Sequence, residues 1–151
     1  MTAVTLALSL AFEPPEKNVM QRPPRDADEP ILSRLLIWRV MFVSVILMTG
    51  TIGLFQWEMQ KGASIEHART VAVNTLVMFE IFYLFSARYL LAPSLTYQGL
   101  FGNPYVLYAI GLLIVIQLAF TYLGPLQTLF ATTAMNADAW LRVILVASTV
   151  L

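Results

Sequence analysis

The sequence contains no cysteine and few charged residues. Without cysteine the chain has neither disulfides nor thiolate chemistry, and this absence says nothing about its compartment. Only 12% of the 151 residues are charged, whereas soluble domains have about 25%. The net charge is zero, which argues against a nucleic-acid partner. With 58% hydrophobic residues and a mean hydropathy of +0.72, the composition predicts an integral membrane protein.

The scarce charges are also unevenly distributed. Residues 40–57 and residues 89–137 contain no Asp, Glu, Lys or Arg. A helix crosses the bilayer core with about 20 apolar residues, so the first run fits one span and the second fits a span with its connecting loops. Residues 1–12 are apolar but too short to cross, and they lack the basic start and the cleavage site of a signal peptide. We interpret them as the end of a truncated helix.

The chain is therefore predicted to be an all-α membrane bundle with three complete spans and partial first and last helices. Trp38 and Trp57 lie near the two ends of the first complete span, where aromatic side chains favour the interface. Pro104 suits a helix start, and Gly124-Pro125 should break the chain after the third span. The predicted segments are the partial helix 1–12, a Pro-rich loop 13–34, and a bundle 35–151 with spans at about 35–57, 70–91 and 104–122 and a partial helix 138–151.

Basic residues predict the orientation of these segments. A cytoplasmic Pro-rich loop would place six Lys and Arg residues on the cytoplasmic side and three on the other. The six are Lys17, Arg22, Arg25, Arg34, Arg39 and Arg88, and the three are Lys61, Arg69 and Arg142. The bias favours a cytoplasmic loop, whose arginines would contact headgroups, other domains or the neighbouring acids Asp26, Asp28 and Glu29.

One run of residues resembles a known family. Phe12-x-Pro14-Pro15, followed by Val19-Met20-x-Arg22-Pro23-Pro24-Arg25, is similar to the end of the sixth membrane helix and the next loop in P-type ATPases of the calcium- and sodium-pump branch. Residues 71–88 resemble the eighth helix of that family. Tyr122-x-x-Pro125-Leu126-x-x-x-Phe130 resembles the stretch after its ninth helix.

The resemblance implies a C-terminal membrane domain that supports the transport helices and contributes to the cation path. The phosphorylation motif Asp-Lys-Thr-Gly-Thr is absent, so this chain has no catalytic residue and no cofactor of its own. A parent pump would use ATP and Mg²⁺ and carry a cation, Ca²⁺ or Na⁺. Its partners would be the lipid bilayer, the remaining helices and the cytoplasmic domains, in the plasma (cell inner) membrane. The alternative is a free-standing small membrane scaffold or regulatory subunit without transport activity.

The candidate cation ligands are Glu80 and Thr2. A carboxylate in mid-span is costly, so Glu80 is expected to face an ion, a proton path or a structural hydrogen bond. The resemblance matches Glu80 to a cation-coordinating carboxylate and Thr2 to an ion-binding threonine, although such threonines commonly bond their own backbone. Ala3 stands where calcium pumps have an aspartate. The resemblance therefore does not carry over a two-calcium site.

Asn74, Gln117 and His67 are further polar candidates for a functional role. Asn74 and Gln117 lie within predicted spans, where amides mostly form hydrogen bonds between helices, and this is the favoured interpretation over lining a path. His67 lies in the predicted polar turn 58–69, where a solvated imidazole is favoured over a metal ligand. Tyr83 and Tyr122 are expected at the interface or in packing.

Overall fold

The computed structural model describes Val4, Leu8, residues 34–88 and residues 104–151. The described part of the chain forms five α-helices and no strand: α1 (Arg34–Gln60), α2 (Ile65–Arg88), α3 (Pro104–Tyr122), α4 (Gly124–Phe130) and α5 (Ala137–Ala147), the last extended by a 3₁₀ turn over Ser148–Val150. The all-α prediction is confirmed. Helices α1, α2 and α3 are long and apolar enough to cross a membrane, as predicted for three spans.

Helix α2 lies at the centre of the described bundle. One side of α2 packs against α3 through a cluster of Val77, Ile81, Leu84, Val106, Ile110 and Leu113. Its other side packs against α1, α5 and the 3₁₀ turn, in part through a cluster of Leu54, Val71, Met135, Ala139 and Val143. Helix α1 buries only Leu54 and Glu58, so most of its apolar surface is left for lipid or other helices.

The helix ends are determined by proline residues and by a side-chain cap, and the hydrophobic pattern shows them only in part. Helix α3 begins at Pro104 and ends at Tyr122, and Pro125 lies in the first turn of α4, as the sequence predicts. The second span is predicted to begin at about residue 70, and the helix that contains it, α2, begins five residues earlier, at Ile65. Ser64 explains the difference, because its hydroxyl accepts a hydrogen bond from the backbone nitrogen of His67 at 3.2 Å and caps the helix.

The first turn of α5 depends on a side-chain cap. The Oδ1 atom of Asn136 accepts a hydrogen bond of 2.8 Å from the backbone nitrogen of Ala139. We expect Asn136→Ala to lower the free energy of unfolding by about 1 kcal/mol, because that amide loses its partner. Thermal unfolding of the detergent-solubilised protein would measure the effect. Thr149→Ala, at the exposed other end of this segment, is the control and should change stability by less than about 0.5 kcal/mol.

Candidate functional site

Glu80 lies in the second half of α2, half-buried, with its Oε2 atom fully enclosed. Among the described residues Oε2 has no hydrogen-bond partner. Glu80 follows Leu76 and Val73 along one face of α2, and these two side chains are 42% and 40% exposed. A carboxylate in a span costs about 2.5–3.5 kcal/mol on insertion scales. A cation, a proton or a group outside the described residues must therefore compensate it.

A groove of about 390 Å³ lies between α1 and α2, next to this face. It is lined by Ser44, Leu47, Met48, Thr51, Ile52 and Leu76. Leu76 lies one turn before Glu80 on the same face of α2. The hydroxyl groups of Ser44 and Thr51 are the polar groups of the lining. The Oγ1 atom of Thr51 is buried and has no partner within the described part of the chain. The groove thus reaches Leu76 on the face that carries Glu80, while Glu80 itself is not part of its lining.

The other predicted ligand, Thr2, lies outside the described residues, as does Ala3. Within residues 34–88 and 104–151 no three His, Cys, Asp or Glu side chains come close enough together to hold a metal ion. Glu80 is therefore the one predicted ligand whose surroundings are described. Any further oxygen ligands would come from Thr2, from backbone carbonyls or from other helices.

Asn74 forms the interhelical hydrogen bond that the sequence predicts. Its Nδ2 atom donates to the carbonyl of Thr70 at 2.8 Å and to the hydroxyl of Thr121 in α3 at 3.1 Å. The Thr121 hydroxyl in turn donates to the carbonyl of Gln117 at 2.8 Å. Asn74, Thr70 and Thr121 are fully buried, so this network fastens α2 to α3 rather than lining an open path.

Gln117 departs from the same prediction. Its side chain is buried, yet its Nε2 atom has no hydrogen-bond partner within the described residues. A second groove, of about 320 Å³, adjoins this side chain together with Met78, Ile114, Leu118 and Trp140. The amide nitrogen of Gln117 therefore forms no bond between helices here, and its neighbours are almost entirely apolar.

His67 is not the solvated histidine of a turn that was predicted. It is the third residue of α2, and its side chain is only 20% exposed. Its Nδ1 atom is 3.3 Å from the Thr133 hydroxyl, and its Nε2 atom is 3.9 Å from a carboxylate oxygen of Glu58. The capped, earlier start of α2 carries His67 under the connection to α5, which explains the burial.

Sequence reasoning missed the ion pair between Glu58 and Arg142. Glu58, in the last turn of α1, is 4% exposed, and its Oε1 atom accepts a hydrogen bond of 2.8 Å from Nη2 of Arg142 in α5. Arg142 also pairs with Asp138 one turn earlier, and its Nε atom has no partner among the described residues. The sequence offers one signal for this pair, namely that Glu58 directly follows the uncharged residues 40–57 and Arg142 lies within the apolar segment 139–151. Their pairing spans 84 positions and is not visible locally.

Arg39 links the beginning of α1 to the end of α2. Its Nη2 atom donates to the carbonyl of Ser86 at 2.8 Å, and its guanidinium carbon lies 5.9 Å from the centroid of the Tyr83 ring. A cation at the last carbonyls of a helix compensates their partial negative charge. Tyr83 therefore packs between helices, in agreement with its prediction. The hydrogen bond of Arg39 and the ion pair between Glu58 and Arg142 hold the two ends of α1.

Comparison with protein families matches residues 1–151 to a family described as cation transporting ATPase, C-terminus. A probable cation-transporting ATPase F of Mycobacterium tuberculosis is 40% identical over 149 residues, which is 99% of this chain and 16% of that protein. A calcium-transporting ATPase 1 of Yarrowia lipolytica is 31% identical, over 95% of this chain and 15% of that protein.

A mammalian relative has similar coverage. The calcium-transporting ATPase type 2C member 2 of Mus musculus is 34% identical over 133 residues, covering 87% of this chain and 14% of the relative. The chain thus spans about one sixth of the length of the curated relatives it matches. In each of them the matching region is part of a much longer protein.

Proposed function

Because this chain belongs to the family of cation-transporting ATPase C-termini, we propose that it forms the supporting membrane domain of an ATP-driven cation pump and contributes Glu80 to the cation path. ATP, Mg²⁺ and the phosphorylation chemistry would act on other parts of that pump. The alternative of a free-standing scaffold is not favoured, since the relatives carry this region within far longer chains.

The observation that carries the proposal is the Oε2 atom of Glu80, which is buried and has no hydrogen-bond partner among the described residues. A purely structural carboxyl group would have a donor nearby, as Glu58 has in Arg142. A hard cation such as Ca²⁺ takes oxygen ligands, and a carboxylate supplies charge as well as lone pairs. Thr2 is proposed as a second oxygen ligand on the resemblance alone, and the ion is proposed to be Ca²⁺ or Na⁺.

The partners follow from what the described helices leave uncovered. Helix α1 exposes Trp38, Met41, Val45 and Met48, which suit acyl chains or further membrane helices. We place the protein in the plasma (cell inner) membrane as a multi-pass protein, with loop 13–34 on the cytoplasmic side beneath the pump's cytoplasmic domains. The six-to-three excess of basic residues supports this orientation.

Glu80→Gln in the full-length pump tests the role of the carboxylate. Gln keeps the shape and removes the charge, so we expect the cation concentration for half-maximal ATP hydrolysis to rise about tenfold or more, a loss of about 1.4 kcal/mol. The assay compares Ca²⁺, Na⁺, K⁺ and Mn²⁺, and the stimulating ion identifies the cargo. Thr2→Val is expected to weaken the affinity for the same ion.

Glu66→Gln is the matched control, because Glu66 lies in the polar first turn of the same helix. It should leave the cation affinity unchanged. An affinity equal to wild type in a stably folded Glu80→Gln protein would show that Glu80 is structural. In that case the ion site lies on other helices.

A further inference from the structure

Gly50 in α1 forms a notch that the ring of Phe79 in α2 fills. A Cβ atom placed on Gly50 would lie 2.6 Å from Cζ and 2.8 Å from Cε2 of Phe79, and 2.9 Å from Cγ1 of Val146 in α5. Carbon atoms do not approach so closely without displacement, since their contact optimum is about 3.5–4.0 Å. Even one added methyl group would force the ring of Phe79 or its helix to move.

The ring of Phe79 is held from every side. Phe79 is 0% exposed and belongs to a cluster with Ala147 and Val150 at the junction of α1, α2 and α5. The partly buried side chains around this cluster are Val43, Ile46, Leu47, Met78, Phe82, Tyr83 and Val146. The notch therefore holds α2 at one height and rotation against α1, since shifting a close-packed ring would create a void or a clash.

Phe79 directly precedes Glu80. Successive side chains of an α-helix point about 100° apart, because there are 3.6 residues in each turn. With Phe79 in the notch, Glu80 lies on the face of α2 that also carries the exposed side chains Leu76 and Val73, and its Oε2 atom is enclosed there. A rotation of α2 by one residue would instead turn the carboxylate into the contact with α1 and α5.

We propose that Gly50 and Phe79 are positioning residues that hold the Glu80 carboxylate toward the cation path. This inference rests on the proposed role of Glu80. The alternative is that Gly50 has a packing role only and lets the helices approach closely, as small residues commonly do in membranes. The two ideas differ in what they predict for ion binding, because a packing role affects stability alone.

Gly50→Ala in the full-length pump is the test, with Gly53→Ala as the matched control. Both changes add one methyl group to the same helix, but a Cβ on Gly53 meets nothing within 4 Å. We expect Gly50→Ala to raise the cation concentration for half-maximal activity about tenfold. Turnover at saturating cation should stay within about twofold of wild type, since a displaced ligand weakens binding rather than phosphoryl transfer. Gly53→Ala should match wild type in both quantities.

Rescue by a smaller side chain separates positioning from general damage. Leu at position 79 lacks the ring atoms that a methyl on Gly50 would meet, and the third neighbour, Cγ1 of Val146, belongs to a partly buried side chain that can shift into the space the ring leaves. Gly50→Ala/Phe79→Leu should therefore recover the cation affinity to within about threefold of wild type, while Phe79→Leu alone leaves the notch underfilled and weakens affinity. If Gly50→Ala does not fold, the comparison of Phe79→Leu with the double variant still gives the result. Equal affinities for wild type, Phe79→Leu and the double variant would overturn the proposal.

The cation affinity of Glu80→Gln, measured in parallel, distinguishes a failure of this inference from a failure of the proposed function. A shift for Glu80→Gln with none for the folded Gly50 and Phe79 variants overturns positioning and leaves the proposed function standing. No shift for Glu80→Gln overturns both, because there is then no ligand to position. Shifts for Glu80→Gln and Gly50→Ala, with recovery in the double variant, support the inference.

Discussion

Replacing Arg142 with Met is expected to destabilise the folded bundle by about 3 kcal/mol, because the change leaves the Glu58 carboxylate buried without its partner. Glu58 is 4% exposed and receives its 2.8 Å hydrogen bond from Arg142. Among the described residues, the Nε2 atom of His67 also lies near that carboxylate, and at 3.9 Å it makes a weaker contact. Chemical unfolding of the detergent-solubilised protein would measure the loss.

Two comparisons show whether the buried pair is the cause. Lys61→Met removes a cation from the same end of α1, but the Lys61 ammonium lies over the Trp57 ring in an exposed turn. That variant should change stability by less than about 0.5 kcal/mol. The double variant Glu58→Gln/Arg142→Met should regain most of the loss, since neither buried charge remains. An equal loss in the single and double variants would contradict the explanation.

The pair also explains how a short helix holds a long one. Helix α5 has only the residues Ala137–Ala147, yet it contacts both α1 and α2. Arg142 fastens the last turn of α1, while Val143 and Ala147 pack in the two apolar clusters on that side of α2. Together with the Arg39 contact at the other end, this keeps α1 beside α2 even though α1 buries few side chains.

The spans were predictable because they depend on local composition. An uncharged run such as residues 40–57 has no favourable place outside a bilayer or a core, so its helix was evident. Pro104 and Gly124-Pro125 marked helix ends for stereochemical reasons that hold in any context. The early start of α2 was missed because Glu66, His67 and Arg69 resemble a turn by composition. The Ser64 cap extends the helix through them.

The site was predictable only as far as single residues. Glu80 stood out because a charge in an apolar run is costly wherever it lies. The surroundings of Glu80 depend on distant contacts, such as that between Gly50 and Phe79, which one sequence cannot reveal. Asn74 and Gln117 illustrate the same limit. Both are buried amides in spans, but Asn74 faces Thr121, whereas the Gln117 amide nitrogen faces no described partner.

Replacing Phe79 with Ala should cost the bundle about 3 kcal/mol, the low end for a buried phenylalanine. Separated helices stay in lipid, so the transfer of apolar surface from water contributes little to the loss. The cost comes from the contacts of the ring with Gly50, Val146 and the surrounding cluster, which an unfilled cavity forfeits. Unfolding of the detergent-solubilised protein in denaturant would measure it.

Phe42→Ala is the matched control, because Phe42 is 52% exposed on α1 and, within the described part of the chain, stacks on Trp38. It should cost less than about 1 kcal/mol, since no buried cavity forms. A second comparison uses the same methyl group in two backgrounds. Gly50→Ala alone should destabilise the bundle, and in the Phe79→Ala background it should destabilise it much less, because only the close contact with Cγ1 of Val146 remains. If Gly50→Ala has the same effect in both backgrounds, the Phe79 ring does not occupy the notch, and neither the stability loss nor the positioning of Glu80 can be ascribed to that contact.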